Sequence, residues 1–132
     1  MVTMAFDRIP QAPQESPDNK AVFDAARAGK LLIGRCKDTG RFFWYPRHVS
    51  PFTLSNNVEL VEAKGTGTIY SYSIARGKEP FCVAYVQLDE GPMMLSNIVD
   101  TDLDALTCGQ KVRLLFKASE NGGAPVAMFI PA

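Results

Sequence analysis

Apolar and polar positions alternate in short runs from residue 58 to the end of the chain. The runs VELVEAKG, GTIYSYSIA, PFCVAYVQLDE, PMMLSNIVD, KVRLLFKA and APVAMFI are each rich in β-branched or aromatic residues. Glycine, proline or Asn/Asp punctuation separates most of them, which is the pattern of successive short strands. Gly65 and Gly67 flank the first sharp bend, where strands coil around a barrel corner. Asp89-Glu90-Gly91 signals a hairpin turn, and residues 100–110 form one longer connection with a helical turn at Leu103–Leu106. Five or six strands with one longer link predict a small closed Greek-key barrel, with a sandwich as the structural alternative.

Before residue 58 the period differs. Val22, Phe23, Ala25, Ala26 and Ala28 make a short apolar stripe at helical spacing. Ser16 or Asp18 can cap it, Pro17 suits its first turn, and Gly29 supplies a left-handed stop. A helix over about 18–28 is expected. Leu31, Leu32 and Ile33 then open a strand running to Cys36; Lys37-Asp38-Thr39-Gly40 has hairpin-turn chemistry, and Arg41 to Tyr45 is an aromatic return strand ended by Pro46. Three of the nine prolines fall in residues 1–17, which suits an extended arm or a lead-in without packed structure, one that could lie across a partner subunit. The expected organisation is therefore an arm over 1–17, a helix with a ribbon-like hairpin over 18–57, and a barrel of the OB-fold kind over 58–132.

Charge and cysteine content narrow the picture. The chain of 132 residues carries 14 basic and 14 acidic residues, a formal net charge of zero. Phosphate neutralisation needs a basic excess, so nucleic acid is disfavoured as a partner. Tyr70, Tyr72 and Phe81 keep a single-stranded nucleic-acid binder as an alternative, because they could stack bases. No apolar run reaches the ~20 residues that span a bilayer, and the N-terminus lacks the apolar centre of a signal peptide, so a cytoplasmic location is expected. Cys36, Cys82 and Cys108 make an odd count with no paired spacing, which argues against a disulfide framework. Cys82 reads as a core residue, and Cys108 as structural.

The segment Cys36 to Thr53 has the outline of a zinc ribbon, in which two knuckles each offer two thiolates to one tetrahedral ion. The four ligand positions would be Cys36 and Thr39, then Ser50 and Thr53, both pairs at i, i+3. Only one is cysteine, and serine and threonine hydroxyls are poor zinc ligands. The expectation from these residues is a vestigial ribbon, with zinc absent and no other cofactor.

The order GKLLIGRC-x-x-x-G, FFWYPR, SP, GTGTIYSYS, LDEGP and GQKVRLLF resembles the DUF35 family, over about residues 18 to 130. Members commonly carry C-x-x-C-G and P-R-x-x-C-P-x-C; here Gly40, Pro46, Arg47 and Pro51 remain while three ligand positions differ. The resemblance implies an N-terminal helix, a rubredoxin-like ribbon and an OB-fold. It also implies a non-catalytic accessory protein that binds acyl-CoA, a thiolase-like partner (condensing or retro-aldol), or a hydratase.

A CoA-type ligand needs cations for its phosphates and an aromatic shelf for its adenine. Arg35, Arg41, Trp44, Arg47 and His48 in the ribbon, and Arg76 and Lys78 at a barrel loop, are the candidates. The plain alternative is a solvated hairpin and a hairpin tip. His48, the one histidine, has no matched nucleophile nearby, and Asp100, Asp102 and Asp104 lack the pattern of a calcium loop. No catalytic residue is assigned, and a self-contained acyl-CoA enzyme ranks last. Met93 and Met94 suit an adaptable core or a docking surface, between copies of the chain or with another protein.

Overall fold

The structure is a computed structural model, and it describes residues 10–132. It is mainly β, with one short helix, a three-stranded sheet and a closed five-stranded barrel. The first nine residues of the expected arm lie outside the described residues. The stretch from Pro10 to Ser16 has no regular structure and runs along the chain's own barrel: the Pro10 carbonyl accepts from the Glu120 amide at 3.0 Å. Arg27 holds the same stretch from the helix side, donating to both carboxylate oxygens of Glu15 at 2.9 and 2.6 Å.

The helix α1 spans Lys20–Arg27 and is capped by Asn19 rather than by Ser16 or Asp18. The Asn19 side chain instead accepts from the Ser16 amide at 2.7 Å, which fixes the turn entering the helix. Gly29 ends it as its sequence position predicts, at φ +80°. The Gly29 amide donates to Ala26 O at 2.9 Å and the Lys30 amide to Ala25 O at 2.8 Å, which together form a Schellman motif.

Strand β1 (Leu32–Cys36) pairs antiparallel with β2 (Phe42–Phe43) and with β3 (Val58–Glu62). The small sheet therefore has the order β2-β1-β3, and its third strand is the first of the alternating runs after residue 57. Gly34 is required at its centre, because a Cβ there would lie 2.2 Å from the Phe43 ring. The aromatic return strand is shorter than the pattern suggests: regular pairing ends at Phe43.

The barrel is built from β4 (Thr66–Ala75), β5 (Phe81–Leu88), β6 (Met93–Ile98), β7 (Lys111–Lys117) and β8 (Val126–Pro131), in the closed order β4-β5-β6-β8-β7. Alternation places Cys82, Ala84, Val86 and Leu88 of β5 inward, and Met94, Ser96 and Ile98 of β6 beside them. Ile69, Val112, Met128 and Phe129 complete the interior. Leu31, Ile33 and Ala63 of the ribbon side join the same buried cluster, so the two sheets share one core. The barrel has one weak seam. β6 and β8 are parallel and share a single paired position, Ile98 with Phe129. A side-chain bond from Ser96 Oγ to Ala127 O at 2.9 Å assists there.

The long connection contains the helical turn expected, at Leu103–Ala105, with the Asp102 side chain accepting from the Asp104 amide. Cys82 is fully buried, as its apolar surroundings predict, and burial pushes its thiol up. Cys108 is exposed, on the turn before Gly109. Tyr72 differs from the stacking role considered for it. It faces the core and donates to Leu106 O at 2.8 Å, so it offers no platform on the surface.

Candidate functional site

The two knuckles of the ribbon face each other as the sequence outline predicts. Gly40, at φ +75°, lets the first turn close with its amide donating to Cys36 O at 2.7 Å. In the second turn the Ser50 hydroxyl accepts from the amides of Phe52 and Thr53 at 3.1 and 3.2 Å. Cys36 is fully buried between them, with its sulfur 4.0 Å from Thr53 Oγ1. Hydrogen bonds from the Ser50 hydroxyl, and then from Thr39, hold the thiol down to about 7. These four positions converge, as ligand positions of a ribbon do.

A residue that no ligand pattern contains ties the knuckles together. Asp38 accepts from Thr53 Oγ1 at 3.0 Å and Ser55 Oγ at 2.5 Å on one oxygen, and from Asn57 Nδ2 at 2.8 Å on the other. The Ser55, Asn57 and Thr53 donors hold its carboxyl below the usual carboxylate range. Four polar side chains thus bridge the first turn to the loop that leads into β3. The signal in the sequence was the polar cluster Thr53, Ser55, Asn56 and Asn57, which reads as ordinary loop composition until the fold places Asp38 beside it.

The cationic candidates are spread over the surface. Arg35 pairs with Glu59 across β1 and β3 at 2.9 Å, and Arg76 pairs with Asp104 at 2.8 Å. Arg41 lies over the Phe52 ring, 3.9 Å from its centroid. Arg47 donates weakly to Tyr45 O at 3.4 Å, and His48 sits 3.8 Å from Asp18 with both side chains exposed. Lys78 is exposed on the β4–β5 hairpin with Arg76, on other elements than the ribbon cations.

A cavity of about 480 Å³ lies between α1, the 10–16 stretch, the segment after β2 and the barrel seam. Of the seven ligand candidates, only Trp44 lines it. Its barrel wall is Met94 and Leu95 of β6 with Val126 and Ala127 of β8, where the two strands part beyond their one paired position. Trp44 packs against Tyr45, with ring centroids 4.8 Å apart. The indole Nε1 is buried without a hydrogen-bond partner among the described residues. Sequence reasoning found Trp44 but not the cavity, because the rest of the lining comes from the 10–16 stretch, α1, β1 and three barrel strands, which are far apart in the chain.

Comparison with known proteins fits this geometry. The profile of the ChsH2 C-terminal OB-fold domain matches residues 60–117, and that of the ChsH2 rubredoxin-like zinc ribbon domain matches residues 23–49. A DUF35 domain-containing scaffold protein of Methanothermobacter thermautotrophicus is 30% identical over 101 residues, which cover 70% of this chain and 76% of that protein. The structure of the Ltp2-ChsH2(DUF35) aldolase superposes with a TM-score of 0.79 at 30% identity, covering 90% of this chain and 98% of that one. The chain belongs to the DUF35 family. A probable enoyl-CoA hydratase alpha subunit of Thermomonospora curvata is 33% identical over 108 residues, 77% of this chain; the chain spans about a third of that protein, 34% of its length.

The ribbon match also corrects the expectation that zinc is absent. That expectation rested on ligand identity alone, whereas residues 23–49 match a domain of zinc ribbons. The thiol of Cys36, held down to about 7, is disposed toward the thiolate a metal takes. The remaining donors at the four positions are hydroxyls, and no group of three or more His, Cys, Asp or Glu among the described residues is placed to hold an ion. This donor set does not fit the four nitrogen or sulfur ligands of a structural zinc site. The functional reading therefore uses no step through a metal.

Proposed function

We propose that this protein is an accessory subunit that binds an enzyme of acyl-CoA metabolism and helps hold its acyl-CoA, without doing chemistry itself. The observation that carries the reading is the 30% identity over the whole length of the DUF35 chain in the Ltp2-ChsH2(DUF35) aldolase. The names of other relatives, a scaffold protein and a hydratase alpha subunit, point the same way. The partner in this reading is a thiolase-like or hydratase-type subunit. No helix among the described residues is long and apolar enough to cross a membrane.

The candidate cations divide on structural grounds. Arg35 and Arg76 are already neutralised by Glu59 and Asp104. Of the seven candidates, Arg47, with His48 beside it, follows Pro46, which lines the cavity, and these two are the side chains this reading sets against CoA phosphates near the Trp44 ring. Arg41 and Lys78 are secondary contacts in this reading. The test is reconstitution with the thiolase-like and hydratase-type subunits of the same genome, followed by size-exclusion chromatography. Co-elution with one of them at fixed stoichiometry is expected. Separate elution from every such subunit, with and without acyl-CoA, would overturn the proposal.

A further inference from the structure

We infer that the cavity at the β6–β8 seam is a binding site for the apolar chain of an anionic amphiphile, with Lys30 at the rim meeting the negative end. This deepens the reading above and rests on it only for the biological source of the ligand.

The space of about 480 Å³ is half open to the surface and is the size of a small-molecule site. Its lining is mostly apolar and comes from elements distant in sequence, among them Val22 and Phe23 of α1, Trp44, Leu95 of β6, Phe116 of β7 and Val126 of β8, with Gln11 and Asn19 as neutral polar members. An apolar surface of that kind gains free energy when an aliphatic chain displaces water from it. The seam explains why the space exists, since backbone pairing between β6 and β8 is confined to one position.

The charge at the rim selects the head group. Lys30 lines the cavity mouth, and the Schellman motif at the end of α1 fixes its backbone there. Its side chain is exposed and has no ion-pair partner among the described residues. Among the described residues, no carboxylate side chain lines the cavity. An apolar pocket whose lining includes a cation without an ion-pair partner among the described residues complements a chain that ends in an anion. The buried Trp44 Nε1 without a partner is a cost to stability in the same wall, and such costs persist at sites kept for binding.

The chain has a single tryptophan, and it lines the cavity, so its fluorescence reports occupancy. The experiment titrates the full chain, without any partner, with sodium laurate below its micelle-forming range. One saturating phase at equimolar stoichiometry is expected. Val22→Phe, which fills the space from α1, should weaken it about tenfold or more, and Lys30→Met, which keeps the stem but removes the charge, by about tenfold. Circular dichroism checks both folds, and the exposed position of Lys30 keeps the test decisive if Val22→Phe is misfolded. Lauroyl-CoA binding with the same sensitivity to Val22→Phe would support a thioester source, and laurate binding alone a free carboxylate. No saturating change with either, or affinity untouched by both substitutions, overturns the inference. Failure to find a partner enzyme would leave these results unchanged, so the two proposals fail separately.

Discussion

Asp38 is the residue on which the ribbon's second turn depends most visibly, since it accepts from Thr53, Ser55 and Asn57 at once. Asp38→Ala is expected to lower the melting temperature and to loosen the Ser50–Asn57 loop, which hydrogen exchange of the Ser55 and Asn57 amides would show. The pH dependence follows from the sign of the shift. The Asp38 carboxyl is held below its ordinary value of 3.8, so its contribution is present above that value and is lost as pH falls through the lower folded value. Asp38→Asn should therefore remove a component of acid destabilisation below the usual carboxylate range, measured as melting temperature against pH. Gly34 gives a steric case. Alanine would bring its Cβ 2.2 Å from the Phe43 ring, and overpacking of that kind costs about 1–3 kcal/mol. Denaturant titration of Gly34→Ala measures it. Residue identity made the turns and Gly29 legible from the sequence. The Asp38 bridge was not, because its partners lie 15 to 19 residues away and only the β1–β3 register brings them together.

At the scale of elements, the barrel strands were legible because alternation has a period of two and each run is bounded by a turn residue. The order β4-β5-β6-β8-β7 was not: pairing between β6 and β8 is a long-range event that no local pattern encodes. Phe129 sits at that seam and is fully buried. Phe129→Ala is expected to cost about 3–5 kcal/mol, read from denaturant unfolding, because it removes a buried ring and leaves a cavity where backbone pairing is already thin. The first alternating run shows the same limit. Its pattern resembles the strands that follow, yet β3 completes the small sheet, since β1 offers it an edge with five matching positions. The zinc expectation erred at this scale too. It counted donor side chains at four positions, while the family of the ribbon is carried by the whole segment 23–49.

The whole molecule behaves as one unit in its packing. Leu31, Ile33 and Ala63 of the ribbon side lie in the same buried cluster as Ile69, Val86 and Phe129 of the barrel. Unfolding is therefore expected to be a single transition, with Trp44 fluorescence, which reports the junction, coinciding with far-UV circular dichroism, which reports the sheets. Two separated midpoints would show that the ribbon opens on its own. The cavity also belongs to this scale, since α1, the 10–16 stretch, the segment after β2 and the seam each supply one wall.

Local chemistry determined the elements themselves: alternation set the strands, and glycine and proline set the turns. Spacing also placed Cys36, Thr39, Ser50 and Thr53 at one site, and the structure brings them together. What only the tertiary structure decided is everything that depends on residues far apart in the chain meeting: the barrel's strand order, the Asp38 bridge, the pairing of Arg35 and Arg76 with carboxylates, and the cavity beside Trp44. The physical reason is common to all of them. Short-range patterns fix backbone conformation and which face is apolar, whereas long-range contacts are fixed by which faces bury one another, and that is settled only when the chain closes on itself.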